Sequence, residues 1–63
     1  MSNALIQYSY IKDYEKKGYV QVKTFEGEYV LMENPNKPFH FVRIYDYGGV
    51  WVKGESGEYD RVK

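Results

Sequence analysis

The chain has 63 residues, no cysteine, one histidine, and nine basic against nine acidic side chains, so its formal net charge is zero. These numbers exclude disulfides, argue against a structural zinc site, and lack the excess of Lys and Arg that dominates affinity for nucleic-acid phosphates. No apolar run approaches the roughly 18 residues that a membrane helix needs, and a cysteine-free chain suits a reducing cytoplasm.

The composition favours β-structure. Eight residues are tyrosine and only one is alanine. Tyrosine, valine and the other aromatic or β-branched residues fit a pleated, half-buried surface, whereas alanine is the best helix former. We therefore expect a single small β domain over residues 1–63, in the cytoplasm, with no membrane contact and no metal or cofactor. Residues 1–4 are expected to be disordered or left over from cloning.

The first predicted element lies within residues 5–17 and admits two structures. Apolar and polar residues alternate over residues 5–11, which predicts a strand. The alternative is a helix over residues 5–17, in which Ala4, Tyr8, Ile11 and Tyr14 would share one face. The strand is the preferred prediction, because Tyr-Ser-Tyr-Ile is a poor helix-forming run.

The rest of the chain reads as short strands separated by turn residues, which predicts an antiparallel meander. Residues 13–18 predict a helical turn that Gly18 closes in a left-handed conformation. The predicted strands that follow are residues 19–25, 28–33, 39–47, 50–53 and 58–62. Pro35 and Pro38 mark the clearest loop, because proline cannot donate to a strand ladder. Gly48–Gly49 predicts a two-residue hairpin turn.

These elements predict an all-β fold of five or six strands, curled into a small barrel or half-barrel. The alternative is an α+β fold with an N-terminal helix on a five-stranded sheet. A two-residue turn at Gly48–Gly49 would place Tyr47 opposite Val50 and Tyr45 opposite Val52. Alternation then predicts a core face. Its members are Phe39, Phe41, Tyr45, Tyr47, Val50, Val52 and Tyr59, extended by Val20, Val22, Tyr29 and Leu31. Arg43 is the only charge on its strand there and is expected to lie on Tyr29 as a cation–π pair.

The opposite face of this predicted sheet is the first candidate site. It carries a small apolar strip bordered by polar and charged side chains, a pattern typical of interaction surfaces. The candidate binding residues are Trp51, Ile44, Val42, His40 and Lys53. The predicted function is a non-catalytic module that binds an unidentified protein partner, as an accessory or inhibitor protein. A homodimeric structural protein is a further alternative.

Single-stranded nucleic-acid binding by a small β-barrel is the other alternative. Such proteins place exposed aromatic rings beside Lys and Arg. The candidate residues are Lys12, Lys16, Lys17, Lys23, Tyr10 and Tyr14. The neutral net charge, and the acidic residues Glu26, Glu28 and Glu33 in the same hairpin, make nucleic acid the less favoured partner.

No catalytic residue is predicted. His40 is the only imidazole, and it lies in a predicted strand with no serine nearby in the sequence. Glu55, Glu58 and Asp60 lie on a hairpin expected to be exposed to solvent, which favours an ordinary solvated turn over acid–base catalysis. We therefore predict that the protein is not an enzyme.

Overall fold

The computed structural model describes the backbone of residues 3–63 and the side chains of residues 5–63. The helix α1 (Asn3–Lys16) precedes five strands: β1 (Val20–Phe25), β2 (Tyr29–Glu33), β3 (Phe41–Tyr45), β4 (Val50–Lys53) and β5 (Tyr59–Arg61). They form one antiparallel sheet in the order β1-β2-β3-β4-β5.

The α+β alternative with five strands describes this architecture. Of the preferred all-β prediction, the small antiparallel meander of five strands is confirmed. The all-β class is wrong because α1 precedes the sheet, and the sheet does not close into a barrel, since β1 and β5 are its two edges. Met1, Ser2 and the side chains of residues 3–4 lie outside the described residues. The disorder or cloning origin predicted for residues 1–4 therefore stays a prediction.

Helix α1 replaces the strand that was preferred for residues 5–11. Its local propensity is weak, but helix stability in proteins comes largely from packing an apolar face. Ile11 supplies that face and is 8% exposed, whereas Tyr8, predicted on the same face, is 57% exposed. Gln7 attaches α1 to the sheet, because its Nε2 donates to the Ile44 carbonyl at 3.0 Å.

The end of α1 agrees with the prediction from residues 13–18. Gly18 adopts φ 98°, a left-handed conformation that glycine reaches without steric cost. Its N–H donates to the Glu15 carbonyl at 3.0 Å, and the Tyr19 N–H donates to the Tyr14 carbonyl at 3.0 Å. These bonds satisfy carbonyls that the helix end would leave free, and they direct the chain into β1.

The core is aliphatic and lies between α1 and one face of the sheet. The sheet residues in it are Val30, Met32, Val42, Ile44 and Val50, which pack with Ile11 and Tyr19. Met32, Val42, Ile44 and Val50 are fully buried. Each such side chain contributes about 1.5–3 kcal/mol of transfer free energy. The domain is therefore held mainly by a small cluster of Val, Ile and Met, to which Tyr19 adds the one buried ring among the described residues.

The turn between β3 and β4 decides which face of the sheet is buried. The Gly48 N–H donates to the Tyr45 carbonyl at 3.0 Å, and the Tyr45 N–H donates to the Gly49 carbonyl at 2.8 Å. The loop therefore contains three residues, 46–48, with Gly48 at φ 93°. This is the familiar turn in which a left-handed glycine ends a three-residue hairpin loop.

The predicted register of β3 and β4 is therefore wrong. Val50 pairs with Ile44 and not with Tyr47, which lies three positions further along the chain. A shift by an odd number of residues exchanges the faces of a strand relative to its partner. Val42 and Ile44 consequently join Val50 and Val52 in the core, and the tyrosine-bearing face that was predicted as core is turned away from α1.

Candidate binding surface

The face of the sheet opposite α1 has no described element packed over it, and we call it the open face. Its side chains lie in three rows that cross the strands, because antiparallel pairing aligns residues on neighbouring strands. The central row is Lys23, Leu31, Arg43, Trp51 and Arg61. On one side of it lie Phe25, Tyr29 and Tyr45, and on the other Glu33, Phe41, Lys53 and Tyr59.

Stacked rings form the first flanking row. The ring centroids of Phe25 and Tyr29 are 4.6 Å apart, those of Tyr29 and Tyr45 are 5.0 Å apart, and the planes are tilted by 32° and 44°. Rings lying side by side in one plane cannot approach this closely. The rings therefore stack against one another, and they turn their edges and hydroxyl groups outward.

Tyr47 extends this row from the β3–β4 turn. Its ring centroid lies 5.3 Å from that of Tyr45, and its hydroxyl accepts a hydrogen bond of 3.4 Å from Trp51 Nε1. The ring lies against the backbone of Gly49, where a Cβ atom would collide with it. Gly49 thus allows Tyr47 to fold back onto the open face.

Cations lie over several rings of the open face. The Arg43 guanidinium carbon lies 5.0 Å from the Tyr29 centroid and 4.2 Å from the Tyr59 centroid. Lys53 Nζ lies 4.7 Å from the Phe41 centroid and 5.1 Å from the Tyr59 centroid. The pairing of Arg43 with Tyr29 is confirmed, although on the face away from the core. Each contact draws a cation onto the electron-rich face of a ring.

Arg43 lies at the centre of the open face, in a shallow pocket of about 250 Å³ lined by Arg43, Tyr45, Trp51 and Tyr59. Hydrogen bonding to the Tyr45 side chain raises the pKa of Arg43, and partial burial opposes that rise. Its Nε atom is buried and has no hydrogen-bond acceptor among the described residues. The guanidinium is therefore held in place by rings, with its Nε side turned into the protein.

The five residues predicted to bind a protein are divided between two sides of the sheet. Val42 and Ile44 lie in the core beneath α1 and offer no surface to a partner. Trp51 and Lys53 lie half-buried on the open face. His40 lies in the loop before β3, half-buried beside Gly54. Only Trp51 and Lys53 thus belong to a common exposed surface.

The residues predicted to bind nucleic acid are also divided. Lys12 and Lys16 lie on α1 and Lys17 follows it, whereas Lys23 lies on the open face. Lys12 Nζ forms an ion pair of 3.3 Å with Glu15. Tyr10 and Tyr14 pack against the core and are only partly accessible. Of the expected basic and aromatic edge, Lys23 is thus separated from the residues on and beside α1.

Sequence reasoning missed the residues at the centre of the open face by assigning them to the core. Tyr29, Tyr45 and Tyr59 surround Arg43 and are half-buried. Two features of these side chains indicated a position at the surface. A tyrosine hydroxyl seeks water or a partner, and a charge such as that of Arg43 is rarely buried without one.

Comparison with known proteins finds no match to a family model, a curated protein or a solved structure. No helix in residues 3–63 is long and apolar enough to cross a membrane. Within the same residues, no group of three His, Cys, Asp or Glu side chains is placed to hold a metal ion.

Proposed function

We propose that this protein is a small non-catalytic binding module that contacts a protein partner through the open face. The observation that carries the proposal is an uncovered sheet face on which Tyr29, Tyr45, Trp51 and Tyr59 surround Arg43. Tyrosine, tryptophan and arginine are the residues most enriched at the energetic centres of protein interfaces. Tyr29 and Tyr45 stack on each other, Tyr59 lies against Arg43, and Trp51 donates to the Tyr47 hydroxyl. The rings are therefore already ordered, and binding costs little side-chain entropy.

The packing of the rings favours a protein over a single-stranded nucleic acid. Bases bind such surfaces by stacking on free ring faces. Here most of those faces are engaged, by neighbouring rings in the row from Phe25 to Tyr47 and by Arg43 and Lys53 on Tyr59 and Phe41. Ring edges and hydroxyl groups remain, and these suit the mixed apolar and polar contacts of a protein interface.

The acidic residues at one end of the sheet support the same choice. Glu26 and Glu28 lie in the β1–β2 turn and Asp46 in the β3–β4 turn, and the Asp46 N–H donates to the Glu28 carbonyl at 2.9 Å. A continuous polyanion crossing the open face would pass close to these carboxylates. A protein surface carries localised charges and can avoid them.

A second copy of the same face is a poor partner for this surface. The open face carries four cations, Lys23, Arg43, Lys53 and Arg61, against the single carboxylate of Glu33. Two such faces in contact would bring like charges together, which costs several kcal/mol in a desolvated interface. The proposed partner is therefore a different protein.

The proposal is tested by affinity capture from cells that produce the protein, with crosslinking and mass spectrometry of the captured proteins. Tyr45→Ala and Trp51→Ala are expected to abolish a capture that the unmodified chain supports. Tyr8→Ala is the matched control, because Tyr8 is an exposed aromatic residue on α1, away from the open face. Capture that survives both open-face variants, or that depends on Tyr8, would contradict the proposal.

A further inference from the structure

The open face has an excess of positive charge that the described residues do not neutralise. The ion pair found in residues 5–63 joins Lys12 to Glu15 on α1, on the other side of the sheet. Glu33 shares the open face with Arg43 but forms no ion pair with it within 4.0 Å. Arg43 therefore lacks a carboxylate partner, although arginine favours bidentate pairing with carboxylates at interfaces.

The pocket around Arg43 has the chemistry of an anion site. Rings from Tyr45, Trp51 and Tyr59 form its walls, and the guanidinium forms part of its lining. Apolar walls lower the local dielectric, which strengthens the attraction between the guanidinium and an incoming anion. Lys53 lies against the Tyr59 ring, so a second cation stands beside the pocket. Arg61 pairs with Trp51 across β4 and β5, and its Nε donates to the Lys63 carbonyl at 2.9 Å.

We infer that this pocket binds a carboxylate side chain from an acidic segment of the partner protein, with Arg43 as the residue that recognises it. The inference rests on the proposed function and adds the chemistry of the partner to it. A carboxylate is favoured over a nucleic-acid phosphate because two of the three wall rings are engaged. Tyr45 packs between Tyr29 and Tyr47, and Tyr59 lies against Arg43, so little ring surface is left for a base to stack beside the bound anion.

The test uses Trp51, the single tryptophan of the chain, as a fluorescent reporter in the pocket wall. The probe is a terminally blocked hexaglutamate peptide, titrated into the full chain at low ionic strength. A saturable change in Trp51 emission is expected, and added salt should weaken it by screening. A blocked hexaglutamine peptide has the same length without charge and should bind at least about tenfold more weakly.

Substitution of Arg43 separates recognition from general attraction. Arg43→Gln should raise the dissociation constant for hexaglutamate about tenfold or more, since a charge-assisted hydrogen bond is lost. Arg43→Lys should give an intermediate loss, because it keeps the charge without the planar fork. Lys16→Gln removes one charge at an exposed position of α1. It should leave the dissociation constant for hexaglutamate within about twofold of that of the unmodified chain.

A measurement on the unmodified chain avoids any effect of the variants on folding. In ¹⁵N-correlated spectra, hexaglutamate should shift the Trp51 indole signal and the Arg43 and Tyr59 amides, and leave the α1 amides in place. The inference is overturned by no response at about 1 mM peptide, by equal binding of hexaglutamine, or by tighter binding of hexathymidylate. If hexaglutamate fails while Tyr45→Ala still abolishes partner capture, only the carboxylate inference fails. If both fail, the proposed function fails with it.

Discussion

Arg43 lies over Tyr59, with its guanidinium carbon 4.2 Å from the ring centroid. This contact joins β3, in the middle of the sheet, to β5 at its edge. The contact is needed because β5 contains only three residues, Tyr59–Arg61, of which Asp60 and Arg61 are exposed. The open face thus stabilises the edge of the sheet as well as forming the candidate binding surface.

Removing the Tyr59 ring should therefore loosen β5. Tyr59→Ala is expected to lower the free energy of unfolding by about 1–2 kcal/mol, through lost ring burial and lost cation–π contacts with Arg43 and Lys53. Urea unfolding gives the loss, and amide hydrogen exchange should show faster exchange across the β4–β5 pairing. Tyr8→Ala, at an exposed position of α1, should lower the free energy of unfolding by less than about 0.5 kcal/mol. Equal losses for the two variants would show that Tyr59 does not hold the edge.

Substitution of the two glycines of the β3–β4 turn should destabilise the protein for different reasons. Gly49→Ala should displace the Tyr47 ring, which occupies the space that the new Cβ needs, and should break the hydrogen bond to Trp51. The expected cost in unfolding free energy is about 0.5–1 kcal/mol, because an exposed ring can swing outward. Trp51 fluorescence should change at the same time.

Gly48→Ala is the matched comparison. Gly48 has φ 93°, and an added Cβ would lie 3.2 Å from Ile6 Cγ2 on α1. The left-handed backbone and this contact together should cost about 1–2 kcal/mol or more, with Tyr47 left in place. Similar stability losses for the two variants, with no change in Trp51 fluorescence for Gly49→Ala, would argue against the placement of Tyr47.

Phe39 carries backbone strain that a substitution should relieve. It adopts φ 68°, is 72% exposed and precedes β3 in the loop after β2. Asparagine tolerates the left-handed conformation better than phenylalanine. Phe39→Asn should therefore raise the free energy of unfolding by about 0.5 kcal/mol, measured by urea or thermal unfolding. Phe41→Asn, at an ordinary strand position of the open face, should lower it instead.

Alkaline pH should weaken the attachment of α1. Burial, with smaller contributions from Tyr19 and Asp13, raises the pKa of Tyr14 above its ordinary value of 10.0. The unfolded chain then loses this proton at a lower pH than the folded chain. The contribution of neutral Tyr14 to the free energy of unfolding is fully present below about pH 10. It is lost as the pH rises from there through the folded pKa.

The measurement for Tyr14 is the urea midpoint as a function of pH, for the unmodified chain and for Tyr14→Phe. The other tyrosines ionise in both proteins, so the difference between the two curves isolates Tyr14. Above about pH 10, the urea midpoint of the unmodified chain should fall relative to that of Tyr14→Phe. Parallel curves over the whole range would contradict the shift.

The sequence predicted the local structure well where a single residue type dictates it. Gly18 ends a helical segment because it tolerates a positive φ, and Pro35 and Pro38 lie in a loop because they cannot donate to a ladder. Period-two patterning located all five strands of the sheet to within a few residues. It also predicted the contact of Arg43 with Tyr29.

The candidate site was predicted only in part, and the reason is a small difference in loop length. The pair of glycines at 48–49 fits a two-residue turn as well as the three-residue loop that forms. The two loops give registers that differ by an odd number of residues. The side chains of β3 that the two-residue turn would place in the core therefore lie on the surface, and the reverse, while those of β4 keep their faces. Trp51 and Lys53 stayed on the surface, while Val42 and Ile44 moved to the core.

By itself, the sequence determined where the five strands of the sheet and their turns lie, that the charges balance, and that one face of the sheet is rich in rings. Only the tertiary structure decided which surface that is. Helix α1 covers the face of Val, Ile and Met, because aliphatic side chains close-pack without polar atoms to satisfy. The tyrosine face stays outside, because its hydroxyl groups keep their access to water and its rings are already packed by Arg43 and Lys53.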